Sequence, residues 1–258
     1  PDEPLLNIEN NWIFLWREWG RKCKIAEFRL QVADFRIKIL SFLPLVETTN
    51  KLYKRMNLKK ILPVFSYLFH PIFIPVYTAL FYFFCYDSYY TNSENYFALF
   101  QIVIVTIVLP ILIFFLLRAT GQVNSIMIAD ISQRKIPLVI QCFLTILLIR
   151  KSITIYHFPE LYFFFLAGLL STIIALILLF FKIKASLHMI AVSALTVFVI
   201  GLSIHNQTRN IDMIAFLVLM NGFVASSRLE MKAHTPKELV IGFLLGVFPQ
   251  LFLLSFWL

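Results

Sequence analysis

Along most of the chain apolar residues run on without alternation, and the polar residues collect in short breaks between the runs. A run on the order of 20 apolar residues is long enough to cross the hydrocarbon of a bilayer as a helix. Such runs fall near 61–86, 98–117, 136–156, 160–181, 187–205, 211–227 and 238–257. The third is interrupted by Arg150 and Lys151, which predicts a short, tilted or half-inserted helix. The first contains Pro63, Pro71 and Pro75, which predicts a kink or a late start, since proline lacks the N–H that a helix interior uses. Unbroken runs exclude a barrel, whose strands would alternate. Lipid offers no partner to an unpaired backbone group, so spans of this kind are helical. The predicted fold is all-α, a polytopic membrane bundle of about six to seven transmembrane helices.

Residues 1–55 follow a different rhythm. Ile25, Phe28, Val32, Phe35 and Ile39 fall on one side of a helix, and Arg21, Lys22, Lys24, Arg29, Arg36 and Lys38 crowd around that stripe. This is the pattern of a basic amphipathic helix lying in the membrane interface. A second reading stays open beside it. Met56-Asn57-Leu58-Lys59-Lys60 looks like a bacterial start placed just before a hydrophobic helix, which would make 1–55 an extension of uncertain authenticity. On either reading, 56–258 is the transmembrane domain.

Composition narrows the class further. The chain has 258 residues and is 60% hydrophobic, with a mean hydropathy of +0.81. A soluble domain of that length cannot hide so much apolar surface. Cys23, Cys85 and Cys142 are scattered without ligand spacing, which predicts neither a disulfide framework nor a zinc site. No metal and no cofactor is expected. The net charge is +9, and twelve of the 23 lysines and arginines fall in residues 1–60. A basic edge on a membrane protein points to anionic lipid headgroups rather than nucleic acid. The expected location is the inner membrane of a bacterium, with the orientation left open.

The polar breaks carry the candidate chemistry. The segments 118–135, 182–186 and 228–237 are separated from one another by two crossings each, so all three emerge on one face. They hold Arg118, Arg134, Lys135, Lys182, Lys184, Arg228, Lys232 and Lys237, together with His234, and His188 follows directly on the second. Cations and imidazoles gathered at headgroup level fit a phosphate monoester.

Three stretches carry a resemblance. The first is Ser227-Arg228, five residues, His234, three residues and Glu238. The second is Ala185-Ser186-Leu187-His188, and the third is Arg134-Lys135-Ile136-Pro137. Taken in chain order, from Arg134 to Glu238, and in their separation they resemble the three blocks of the type 2 phosphatidic acid phosphatase superfamily, K-x6-R-P, P-S-G-H and S-R-x5-H-x3-D. The likeness covers roughly 60–258. The last block is the specific one, with Glu238 standing where the family prefers Asp. The P-S-G-H block keeps its serine and histidine but not its proline and glycine. The K-x6-R-P block is reduced to a basic pair near a proline. Leu187 replaces the glycine, and a side chain there obstructs close approach of backbone to phosphate.

The resemblance implies a role for each matched residue. His234 would attack phosphorus and form a phosphohistidine. Glu238 would hold the imidazole in its reactive tautomer, and His188 would protonate the leaving oxygen. Arg228, with Ser227, Ser186, Lys184, Arg134 and Lys135, would bind phosphate oxygens. The implied partner is a membrane-embedded lipid phosphate or pyrophosphate, of the phosphatidate, phosphatidylglycerophosphate or polyprenyl pyrophosphate type. The alternative is a catalytically degenerate relative that binds anionic lipid or a membrane partner. A transporter is disfavoured because the middles of the spans hold few ionisable groups.

Several of these residues also have ordinary structural roles. Thr235-Pro236-Lys237-Glu238 has the form of a capped helix start, and Ser186 is placed to cap a helix beginning at Leu187. His70 reads as packing or a helix–helix hydrogen bond. His157 and His205 read as residues of the opposite face, and Asp130 as a helical ion-pair partner of Arg134.

Overall fold

The computed structural model describes residues 58–85, 92–121 and 131–258, nearly all within one compact unit, Lys59–Leu258. The basic stripe of 1–55, Asp130 and its pairing with Arg134 lie outside the described residues. Among the described residues every regular element is helical. In chain order they are α1 (Leu58–Leu68), α2 (Ile74–Cys85), α3 (Asn92–Val103), α4 (Leu109–Ala119), α5 (Ile131–Lys151), α6 (Pro159–Phe180), α7 (Leu187–His205), α8 (Ile211–Glu230) and α9 (Pro236–Leu254). A single π-helical turn, Ile104–Val108, joins α3 to α4 into one rod.

Among the described residues five helices are long and apolar enough to cross a membrane: Ser93–Ala119, Pro159–Phe180, Leu187–His205, Ile211–Glu230 and Pro236–Leu254. The first predicted span, 61–86, is not one helix. The chain leaves α1 after Leu68 and re-enters a helix only at Ile74. Pro71 explains the break, because its ring disfavours helical backbone at the preceding residue, His70. Helix α5 is not among the five. Arg134 and Lys135 stand at one end of it and Arg150 and Lys151 at the other.

Helix α7 is central. Within its most apolar stretch 67% is buried, against 11% for Ser93–Ala119, which leaves most of its side chains facing outward. The core about α7 includes Phe164, Phe165, Phe198, Leu202 and Leu217. Helix α9 comes closest to it, because Gly242 and Gly246 sit one turn apart on the facing side. A β-carbon at Gly242 would meet the backbone of Ser186, and one at Gly246 would meet Ser193 Oγ and the Ile190 carbonyl. Small residues four apart let two backbones approach in this way. Ser193 Oγ then donates to the Phe243 carbonyl at 3.1 Å.

A second cross-link offsets a defect in α9. Pro249 has no N–H, so the Leu245 carbonyl one turn earlier has no helical donor. Ser171 Oγ of α6 donates to it at 2.8 Å, and Gln250 Nε2 donates to the Phe164 carbonyl at 3.1 Å. These contacts fix α6, α7 and α9 as a unit and set the two helix starts that carry His188 and His234.

Candidate functional site: a cationic cavity at one end of the bundle

Two turns of the same form deliver side chains to this end. Helix α6 closes with Lys182 at φ 60°, with Lys182 N–H on the Leu179 carbonyl and Ile183 N–H on that of Leu178. Helix α8 closes with Lys232 at φ 51°, with Lys232 N–H on Leu229 and Ala233 N–H on Arg228. This is the Schellman pattern, here with lysine at the left-handed position that usually takes glycine. In each case the residue two further on, Lys184 or His234, is turned toward the bundle. A new helix starts directly after, and Ser186 N–H donates to the Glu238 carbonyl at 3.2 Å, holding the α7 start against the first turn of α9.

His234 is buried, and its Nδ1 lies 2.8 Å from Glu238 Oε2. The same carboxylate oxygen accepts Thr235 N–H at 3.3 Å, and Thr235 Oγ1 accepts Glu238 N–H at 3.4 Å, completing a capping box. Glu238 therefore caps its helix and orients the imidazole at once. A carboxylate can only accept, so the proton sits on Nδ1 and Nε2 keeps a free lone pair. Burial is the main cause holding His234 down at about 4, below its ordinary 6.5. The bond to Glu238 opposes that, and Arg134, Arg228 and Lys184 add to the lowering. Lys184 is also held below the usual lysine range, first by burial and then by Arg134, with Glu238 opposing and Arg228 adding. Its Nζ donates to the Ala233 carbonyl at 3.3 Å.

His234 opens on a cavity of about 810 Å³ that His188, Arg228, Lys184, Arg134 and Lys232 also line. Its lining contains no carboxylate among the described residues. Arg228 is only 6% exposed, its Nε is buried without a partner, and one guanidinium nitrogen touches Met231 Sδ at 4.0 Å. A buried guanidinium left so poorly matched is costly unless an anion reaches it. Beyond this cationic end the walls turn apolar, with Phe114, Leu138, Leu144, Phe164 and Ala194. Leu144 lies ten residues past Arg134 on α5, about 15 Å along the helix at 1.5 Å per residue. The volume lies within the range of small-molecule sites.

The other expected residues fall around this cavity in three ways. Ser227 does not line it; its Oγ bonds Ser66 Oγ at 2.6 Å, and Ser66 is in the lining. Ser186 has the extended backbone of a helix cap, yet its side chain makes no capping bond, and its Oγ is fully buried without a partner. The expected cap is thus backbone only. Lys135 points elsewhere, with Nζ 4.6 Å from the Phe180 ring centre. Neighbours on a helix project about 100° apart, so Arg134 and Lys135 do not serve one site. Leu187, at the position of the family's glycine, is itself in the lining.

His70, expected as packing or a helix–helix hydrogen bond, lines the cavity with its ring centre 5.0 Å from that of His188 and nearly perpendicular to it. The Pro71 that follows it was the one available signal, since it marks where the helix opens. Among the described residues no group of three or more histidine, cysteine or acidic side chains is placed to hold a metal. Compared with protein-family models, with curated proteins and with solved structures, the chain matches none.

Proposed function

We propose that the chain is a membrane-embedded phosphatase-like protein that takes a lipid phosphate monoester or pyrophosphate and hydrolyses it through a phosphohistidine. The observation that carries this reading is one amphiphilic cavity with a buried, poorly matched Arg228 at its cationic end and a carboxylate-held His234 beside it. In this reading His234 Nε2 attacks phosphorus and the bond from phosphorus to the bridging oxygen breaks. His188 delivers the proton that the leaving oxygen needs. Water then attacks the phosphohistidine, with His188 taking its proton, and orthophosphate departs. Arg228, Lys184 and Arg134 stabilise the charge developing on the phosphoryl oxygens. The apolar walls receive the lipid chain while the phosphate meets the α7 start, where no side chain caps the first N–H groups and an anion is favoured. The broken α1–α2 pair and α5 complete a bundle of six to seven crossings in a bacterial inner membrane.

The test is phosphate release by the full chain in detergent from short-chain phosphatidate and from a prenyl pyrophosphate, with His234→Ala as control. Release by the wild-type protein and none by the variant is expected. No release from a broad panel, together with retained binding of the same lipids, would favour the degenerate lipid-binding alternative. Leu187 in the lining is the observation on that side.

A further inference from the structure

His70 is an expensive residue for its place. Pro71 alone suffices to end α1, yet the break carries an imidazole beside the buried rings and chains of Phe69 and Ile74. A polar ring among apolar neighbours needs partners. Nδ1 takes one, the Ile72 N–H at 3.4 Å, which leaves the proton on Nε2. A second polar neighbour is His188, edge to face at 5.0 Å, and Arg228 is near enough to act on the ring's charge.

The segment that carries His70 also holds His188 and Arg228 from a second side. The Ser66 backbone stands within reach of the His188 ring, and Ser66 Oγ bonds Ser227, the residue before Arg228. The end of α1 and its break thus tie the starts of two reactive groups together. Nothing in the three family blocks requires a histidine here.

We propose that His70 is a positioning residue for His188, and that the two imidazoles together take up a single added proton, beyond the one each neutral ring carries, for delivery at the phosphate. This rests on the phosphatase reading for its purpose, though not for its geometry. Two imidazoles this close do not both charge readily, so their ionisations belong to the pair. The surrounding groups act in the same sense. Arg134 from α5, Lys184 from the α6–α7 turn, Arg228 and Lys232 from the end of α8, and His234 before α9 line the same cavity and oppose a second proton; Glu238 stands behind His234, and Tyr67 on α1 is the remaining titratable group of the lining. A bound phosphate dianion supplies the negative charge that retains the single proton where the leaving oxygen needs it.

The experiment is nitrogen NMR of the labelled imidazoles of the full chain in micelles, following His188 with pH in wild type, His70→Phe and His70→Gln. In the wild type the His188 titration should be broadened into two linked steps. Either variant should reduce it to one step, and the phenylalanine, which keeps the ring but not its nitrogens, should also change the tautomer ratio. Glutamine, which keeps a donor where Nε2 stands, should preserve the ratio. In phosphate release, His70→Phe should lower kcat on the order of tenfold with KM little changed, as for a misplaced acid, and His70→Gln should recover part of it. A single-step wild-type titration of His188, or a two-step titration that a folded His70 variant leaves unchanged, overturns the proposal. Because the NMR arm needs no turnover, absence of phosphate release would count against the phosphatase reading without touching the pair.

Discussion

Each end of the bundle sets a histidine beside a glutamate, and the two pairs are treated differently. At the end opposite the cavity, Glu160 receives Tyr82 Oη–H at 2.7 Å on one oxygen and lies 3.7 Å from His205 Nε2 on the other. His205 in turn meets the Trp257 ring edge to face at 5.7 Å. Both carboxylate oxygens are engaged, joining three helices, α2, α6 and α7, and none of these residues lines the large cavity. At the cavity end one Glu238 oxygen both caps a helix and meets His234, while Arg228 Nε and Ser186 Oγ are buried without partners. One end is a finished clasp. The other has surplus positive charge and unmet donors, which is what a site for an anion requires before the anion arrives.

That contrast yields graded expectations, the first and largest at the cavity. His234→Ala should abolish phosphate release, a fall of about a thousandfold or more for loss of a nucleophile, whereas His205→Ala should leave the rate unchanged. Arg228→Lys comes next. It keeps the charge but loses the planar fork, and a loss of roughly 10- to 100-fold in kcat/KM is expected, in line with the 1.5–3 kcal/mol of a charge-assisted contact.

A third change attacks the scaffold rather than either end. Gly246→Val drives a side chain into Ser193 and the Ile190 carbonyl, so thermal unfolding in detergent should show a destabilisation of about 3 kcal/mol. Phosphate release should fall with it, because α7 and α9 no longer present His188 and His234 together. The smallest effects belong to the clasp and to Ser171. Tyr82→Phe and Ser171→Ala should each cost about 1 kcal/mol in the same unfolding measurement and leave the rate alone.

The pH response separates the ends as well. His234 sits at about 4 when folded, below its ordinary 6.5. The unfolded chain therefore binds the proton more readily, and stability rises with pH. The contribution is complete above about 6.5 and is lost progressively as pH falls toward 4. A Tm series over that window should slope upward in the wild type and flatten in His234→Gln. The same depression keeps Nε2 unprotonated in mildly acidic solution, so diethyl pyrocarbonate should still modify His234 at pH values where an ordinary histidine is protected.

Much of this was legible in the sequence. The ends of the helices from α6 onward follow from where apolar runs stop, and the counting of crossings put Arg134, Lys184, Arg228 and His234 on one face, where they line one cavity. The cap formed by Glu238 was readable from Thr235-Pro236-Lys237-Glu238 alone. What escaped depends on direction rather than spacing. Pro71 announces a break but not which way the preceding ring turns, so His70 looked like packing or a helix–helix hydrogen bond. Lys182 and Lys232 end helices at positions where glycine would have been the signal. The Gly242–Gly246 pair gains meaning only once Ser186 and Ser193 are found opposite it. Lys135 was grouped with Arg134 by adjacency in sequence, which on a helix separates side chains.

The most direct measurement is to incubate the full chain in detergent with a phosphorus-labelled short-chain lipid phosphate, quench in alkali, and map any acid-labile phosphate by peptide mass. Label confined to the peptide carrying residue 234 and absent from His234→Ala is the predicted result. Label elsewhere, or turnover proceeding with no phosphohistidine trapped in any variant, would contradict a nucleophilic His234 at the mouth of the cationic cavity.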